Sequence, residues 1–451
     1  MFIWLSLFVV RCSAFVLDTV SNDQCLAPPP CYCKASSVVC DGSGLSTVPD
    51  FKISDREYPR LLVNLNYNNI REIDNTSFTN LYTTNASELT IYLSNNDLST
   101  ISDSAFSMVT SMITYLNLKN NNLSEIPNVL GTLPNLENLD LRGNPIRSMA
   151  VPVTFAISKS IKSLSISLNL FSSWPKELHY FRLLSRLVVD GFQEKRFPLN
   201  ALTGIETTLT SLEISNSRLD RIPSVVCHLP HLRRLSYTSN PETKSPIFEP
   251  CNRNVTSLVF LSVKGNNLTH FPDVFNTFVS LDYLDVGDNQ IRTIDTDLIP
   301  LDNSLTHLNL SYNHLNRIPT AVNRFAALKS LYIAGNRITS LEDNDLSNLT
   351  HMSVFQLENN PLEYISNNAF KNIQSLAILN LESTNLDVIP KALTSLASIN
   401  RLSLEGTPIQ CTCKMDYLKS WANNSSRIYG TCEGTMESLS SFITTYLPLC
   451  P

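Results

Sequence analysis

Glycine is scarce, with 12 in 451 residues. None sits in the clustered spacing of a phosphate-cradling loop, and Gly42 and Gly44 belong to a short turn near the N-terminus. Charge of one sign is missing too. Lys and Arg number 34 against 40 Asp and Glu, a formal net charge of −6, with none of the clustered basic stripe that a nucleic acid requires. After the first ten residues no apolar run approaches the roughly 18 residues of a membrane span. The ending ITTYLPLCP is too short and too broken for a lipid-anchor signal. The seven histidines (His179, His228, His231, His270, His307, His314 and His351) show no recurrent partnering with Ser or Cys nucleophiles. These absences exclude the usual signs of an enzyme, and no cofactor is expected.

The chain opens with MFIWLSLFVVRCSAF, an apolar core from Met1 to Val10 followed by Cys12, Ser13 and Ala14. Small residues there suit signal peptidase, so residues 1–14 are expected to be a leader and the remainder to be secreted. A buried N-terminal strand is the other reading. Removing Cys12 leaves ten of the eleven cysteines, an even number on an oxidising route, which makes disulfides the default.

LTHLNLSYNHLNRIP, Leu305 to Pro319, has apolar residues at Leu305, Leu308, Leu310, Leu315 and Ile318 and an asparagine at Asn313. That spacing fits neither a helix nor a plain strand. It fits L-x-x-L-x-L-x-x-N-x-L-x-x-I, the leucine-rich-repeat unit, whose single copy cannot bury its apolar side and needs neighbours. Counting the first leucine as position one, position nine is filled by Asn68, Asn96, Asn121, Asn144, Asn169, Phe192, Ser217, Asn240, Asn266, Asn289, Asn313, Asn336, Asn360, Thr384 and Thr407. Those fifteen units are 23 to 28 residues apart. The expected fold is an α/β repeat, a leucine-rich-repeat solenoid or horseshoe with a parallel concave β-sheet of about 15 repeats. The asparagine can pair with backbone groups at the tight turn after each strand. Proline follows the last apolar position in several units (Pro127, Pro175, Pro198, Pro223, Pro272, Pro319, Pro390) and is expected to end the strand side of the turn. Phe106 and Phe370 are expected to add a core layer on the convex return.

A solenoid exposes its core at both ends unless capped. Cys25, Cys31, Cys33 and Cys40 precede the repeats with spacing C-x5-C-x-C-x6-C; Cys411, Cys413, Cys432 and Cys450 follow them with C-x-C-x18-C-x17-C, and Trp421 is available to fill the end. The domains expected are an N-terminal cysteine-rich cap over 25–57, repeats over 58–409 and a C-terminal cap over 410–451. A zinc site is the rival reading of either cluster. Cys227 and Cys251 lie 24 residues apart, one repeat length, so they should stack on adjacent turns within disulfide reach. They fall where the pattern is weakest, with Phe192 and Ser217 in place of asparagine and Glu194 and Glu242 at apolar positions. Cys227-His228-x-x-His231 also reads as a fragment of a metal ligand set.

The caps and repeats together resemble extracellular leucine-rich-repeat proteins of the Toll-like receptor ectodomain, Slit and variable lymphocyte receptor type. The N-terminal cap departs from that pattern in its LAPPP insertion between the first two cysteines. At the C-terminal cap the resemblance implies pairing of Cys411 with Cys432 and of Cys413 with Cys450.

Positions two, three, five, seven and eight of each unit are expected to face solvent on the concave sheet. Two clusters stand out there. Tyr92, Tyr115, Asn117, Lys119, Asp140 and Arg142 mix aromatic and charged groups as interface hot spots do. Glu358, Glu382 and Glu405 form a position-seven ladder of like charges, suited to a basic partner or a cation. Polar residues that merely keep the sheet soluble would look the same. Sequons occur at Asn75, Asn85, Asn122, Asn254, Asn267, Asn309, Asn348, Asn423 and Asn424. Asn309, at position five of the eleventh unit, would carry its glycan on the concave wall and push binding to the first eight or last three units. The expected function is secreted recognition of an extracellular or cell-surface protein through the concave face, in adhesion, guidance or immune recognition. A matrix protein of the small leucine-rich proteoglycan type and a soluble coreceptor of a membrane receptor are the alternatives.

Overall fold

The computed structural model describes residues 25–248, 251, 254–396 and 398–450. The expected leader, residues 1–14, lies outside them. The chain divides into two compact units, residues 1–161 and 162–451.

In the first unit, β1 (Tyr32–Lys34) and β2 (Ser37–Val39) form an antiparallel hairpin. β2 then pairs in parallel with β3 (Arg60–Asn64), and the ladder continues through β4 (Glu88–Tyr92), β5 (Ile113–Asn117) and β6 (Asn138–Asp140). Cys25 is bonded to Cys33 and Cys31 to Cys40. Phe51, Phe78 and Phe106 stack behind the sheet with ring centroids 6.0 and 5.6 Å apart. One α-helix, Val151–Ile157, packs on the 3₁₀ turn Asn128–Thr132, where a Cβ on Gly131 would stand 3.0 Å from that of Ala156.

The second unit holds β7 (Ser163–Ser167), β8 (Arg186–Asp190), β9 (Ser211–Ser215), β10 (Arg234–Thr238), β11 (Phe260–Ser262) and β12 (Tyr283–Asp285). It goes on with β13 (His307–Asn309), β14 (Ser330–Tyr332), β15 (Val354–Gln356), β16 (Ile378–Asn380), β17 (Arg401–Ser403) and β18 (Ile428–Tyr429). Each pairs in parallel with the next. The register repeats the sequence pattern: Leu235, Leu261, Leu284, Leu308 and Leu331, all at position four, face one another across five strands. Alternation along each strand sends positions four and six inward and three and five outward. Cys411 is bonded to Cys432 and Cys413 to Cys450, and Trp421 is buried. Both units are therefore leucine-rich-repeat solenoid, with strands β3 to β17 matching the fifteen sequence units one for one among the described residues.

Position nine does what its chemistry allows. Asn289 Nδ2 donates to the carbonyls of Val263 (3.1 Å), Val286 (2.9 Å) and Gly287 (2.9 Å). Its Oδ1 accepts the N–H groups of Leu268 (2.9 Å) and Asn266 (3.0 Å), so one side chain ties two successive turns. Position eight faces solvent in most units, as expected, and is also a backbone device. Fourteen of the fifteen residues there, from Tyr67 to Gly406, adopt left-handed φ between 51° and 73°. Leu168 is the exception: left-handed backbone costs an L-residue about 1–2 kcal/mol, which Asn, Asp and Gly bear most easily. The turn opens there, Leu168 is buried instead, and Asn169 is exposed. The reading of Asn169 as a turn asparagine is thereby corrected.

The prolines also differ from expectation. Pro127, Pro175, Pro223, Pro319 and Pro390, with φ of −60° to −69°, each directly precede a 3₁₀ turn, so they open the return segment. In the weak middle, Phe192 is buried against Trp174 and Phe197, at 5.5 and 6.0 Å between ring centroids. Glu242 pairs with Arg218 at 2.7 Å, and Glu194 is exposed. Cys227 is bonded to Cys251 with Cα atoms 5.7 Å apart.

Candidate binding surface

The structure separates the sequence candidates into braces and exposed groups. In the first unit Tyr92 and Tyr115 bring their rings to 5.2 Å on neighbouring strands, both half-buried. Asn117 Oδ1 accepts the N–H of Lys119 at 2.9 Å. Asp140 is 9% exposed; its Oδ1 accepts the N–H of Arg142 at 3.0 Å, and the Arg142 guanidinium grips both carboxylate oxygens, closest at 2.7 Å. The same local turn recurs at position five: Asn64, Asp285, Asn309 and Asn380 each accept the N–H two residues on, at 2.9–3.1 Å. An Asn or Asp side chain competes well for that donor. Asn117 and Asp140 thus shape the strand ends, leaving Tyr92, Tyr115 and Lys119 as the outward members.

In the second unit Glu358, Glu382 and Glu405 fall on successive turns but grade from half-buried to exposed. Burial lifts the Glu358 carboxyl above its ordinary range, backbone hydrogen bonding opposes this, and the charge of Glu382 adds to it. Glu358 Oε2 is buried without a hydrogen-bond partner. Among the described residues no three His, Cys, Asp or Glu side chains converge as a metal site, including Cys227, His228 and His231.

A stronger cluster runs down position three of the second unit, unmarked in the sequence reading. The Arg234 guanidinium lies 3.5 Å over the Phe260 ring. Phe260 stacks on Tyr283 with centroids 4.6 Å apart and planes 15° apart, and Tyr283 on His307 at 5.9 Å and 25°. All three rings are half-buried and Arg234 is exposed. Parallel pairing in register makes this column, because Arg234, Phe260, Tyr283 and His307 are direct strand partners. Burial, and then the charge of Asp285, raise the Tyr283 hydroxyl above its usual range. Thr306 Oγ1 lies 2.6 Å from His307 Nδ1 and also bonds the Asp282 carboxylate. Beside the column Lys264 pairs with Asp288 at 3.0 Å. Neither Arg233 nor Arg234 has a carboxylate in ion-pair range among the described residues. Reading down one position at repeat intervals is the signal that finds this cluster.

Of the sequons, Asn75, Asn85, Asn122, Asn254, Asn267 and Asn348 are exposed, and Asn309 is half-buried on the sheet face. The side chains of residues 423 and 424 lie outside the described ones. No described helix is long and apolar enough to cross a membrane.

A family model described as leucine rich repeat matches residues 89–146 and, in overlapping stretches, 303–409. Chaoptin of Drosophila melanogaster is 30% identical over 186 residues, 40% of this chain and 14% of that protein. The transforming growth factor beta activator LRRC33 of Danio rerio is 25% identical over 271 residues, 58% of this chain and 33% of that one. The chain thus spans a third or less of the length of these relatives. A solved leucine-rich-repeat protein of Leptospira interrogans superposes with a TM-score of 0.56 at 21% identity, over 82% of this chain and 90% of that one, which shows the fold. Family matches, relatives and the asparagine-tied parallel ladder agree: the chain is a leucine-rich-repeat protein.

Proposed function

We propose that this chain is a secreted recognition protein that binds another protein on the solvent face of the second unit's sheet, over β10 to β13. The observation that carries the reading is the column Arg234–Phe260–Tyr283–His307. Tyr and Arg are enriched among residues that dominate binding energy. Rings already held by their neighbours lose little further freedom on association, so less ordering opposes binding. The two cations at one end, Arg233 and Arg234, favour a partner that brings a carboxylate there. Tyr92, Tyr115 and Lys119 offer a smaller surface of the same kind in the first unit. Secretion is supported by the paired cysteines, since disulfides persist in oxidising compartments, and by the N-terminal apolar stretch.

The test is expression in animal cells, with the conditioned medium applied to an array of extracellular proteins. The native chain is expected in the medium and on a discrete partner, with Phe260→Ala and Tyr283→Ala each weakening that binding at least tenfold. Retention inside the cell would overturn secretion. Full binding by both variants would overturn the site.

A further inference from the structure

Adjacent basic residues occur at two places in the chain, Lys195–Arg196 and Arg233–Arg234, and the backbone treats them differently. Arg233 and Arg234 both donate their N–H groups to the Thr210 carbonyl, at 2.9 and 3.1 Å, and β10 is paired on either side with β9 and β11. Lys195 and Arg196 lie between β8 and β9, in a stretch that is exposed from Gln193 to Arg196. In a regular turn the N–H at position ten donates back to the preceding turn, as Gln290 does to Leu268 at 2.8 Å and His314 to Ile291 at 2.9 Å. Gln193 holds that position in the sixth unit, after the turn that Leu168 leaves open. Among the described residues the N–H groups of residues 193–197 meet no acceptor, and the one backbone tie of the stretch is the Lys195 carbonyl, which accepts the Asp220 N–H at 3.1 Å. Phe192 and Phe197 are buried at its two ends, both against Trp174, so the residues between them form an arch. Glu194, Pro198 and Asn200 line a hollow of about 410 Å³ together with Trp174 and His179, which leaves the arch with little packing to lose. Neither Lys195 nor Arg196 has a carboxylate in ion-pair range among the described residues.

We infer that this arch is a processing site, where a serine protease with a carboxylate in its specificity pocket cuts the chain between Arg196 and Phe197. A protease acts on a segment that has left its own fold, and exposed stretches with few backbone bonds open most readily. Opening here breaks one backbone bond and draws Phe197 off Trp174, whereas Arg233–Arg234 would have to leave a ladder paired on both sides. Water adds across the Arg196–Phe197 bond, leaving a carboxylate on Arg196 and an amine on Phe197. Every described disulfide lies wholly on one side of the cut, so the two products share no covalent link. They stay associated through the parallel register of β8 with β9, Arg186 to Asp190 against Ser211 to Ser215. The Arg234–Phe260–Tyr283–His307 column falls entirely on the second product. The secretory reading enters only as the route on which such a protease is met.

Two measurements on the full chain test the site. The first is brief digestion of the purified folded chain with trypsin, followed by N-terminal sequencing of the products. The earliest new N-terminus is expected at Phe197, followed by Pro198. Lys195→Gln with Arg196→Gln, both on exposed side chains, should slow that cut at least tenfold, and Trp174→Ala, which removes the surface both phenylalanines rest on, should speed it severalfold relative to cuts elsewhere. An earliest cut at another position, Arg233–Arg234 included, would refute the account by backbone ties. The second measurement is denaturing electrophoresis of the chain as animal cells secrete it. The native chain is expected as two products that separate without reductant and meet between residues 196 and 197, and the double glutamine variant as one. A native chain secreted uncut would overturn the processing even where trypsin finds the arch. A chain retained in the cell would overturn the secretory reading alone, since its earliest tryptic cut after purification from the cells still judges the arch.

Discussion

Replacing Asn289 by alanine should destabilise the second unit strongly, and the same change at Asn169 should do almost nothing. Asn289 makes five hydrogen bonds, and the two backbone donors it serves, Asn266 N–H and Leu268 N–H, have buried side-chain acceptors nowhere else among the described contacts. Each buried donor left unsatisfied costs about 1–3 kcal/mol. Two of them give about 2–6 kcal/mol, a large share of the 5–15 kcal/mol that holds a typical domain together. Asn169 is exposed because Leu168 does not make the left-handed turn, so its truncation removes only solvated amide and should stay within about 0.5 kcal/mol. Urea unfolding followed by circular dichroism measures both. Hydrogen exchange supplies a local readout, with protection expected to fall first at the amides of residues 266 and 268. Equal losses for the two variants would refute the assignment of asparagine to the inter-turn tie, and with it the account of why the fifth unit departs.

Removing the Cys227–Cys251 bond by paired alanine substitution should cost about 3 kcal/mol, from the closure entropy of a loop with 24-residue separation, read as a lower urea midpoint than the unreduced native chain. Glu358→Gln should raise the melting temperature at neutral pH. Burial holds that carboxyl above its ordinary 4.5 in the folded chain, so stability is lost as pH rises from the unfolded value through the raised one. The gain should vanish below about pH 4, where folded and unfolded chains both carry the proton; a pH-independent gain would point to a cause other than titration. Gly131→Val should cost about 1–3 kcal/mol by forcing the Val151–Ile157 helix off its 3₁₀ turn, since a Cβ at 131 already stands 3.0 Å from Ala156, with the loss visible in thermal unfolding.

The number of units and their register were legible because burial at positions one, four and six and amide pairing at position nine are demands repeated in every turn. Position eight carried an equally plain signal. Asn, Asp, Gly and Ser fill most of it, and Leu168 stands out as a residue that the left-handed turn does not suit. Counting position nine alone therefore placed Asn169 in the wrong environment. Asn117 and Asp140 misled for a different reason. A short polar side chain at position five can reach the N–H two residues on, so facing solvent and being available to a partner are not the same property there. The aromatic column was hidden by sequence distance: its members are 23 to 26 residues apart, and only parallel pairing in register turns them into contacts.

That pairing also constrains how a partner can bind. The column crosses strands about 4.8 Å apart, so four rungs span about 14 Å, running across the strands rather than along them. A stable interface usually covers about 800 Å² on each side, far more than such a strip. The column must then act as the anchor of a wider contact that includes Arg233 and Asp282 at position two and Lys264 at position seven. Anchor and surround should separate kinetically. Phe260→Ala removes the ring on which a docked partner would pack and should raise the dissociation rate with little change in association. Arg233→Glu reverses an exposed charge without touching the stack; it should slow association, with an effect that shrinks as salt is raised. Surface plasmon resonance at low and high ionic strength resolves the two rates. If Arg233→Glu acts on dissociation alone and is indifferent to salt, Arg233 is a buried contact rather than a steering charge. The cationic end of the column would then be part of the anchor.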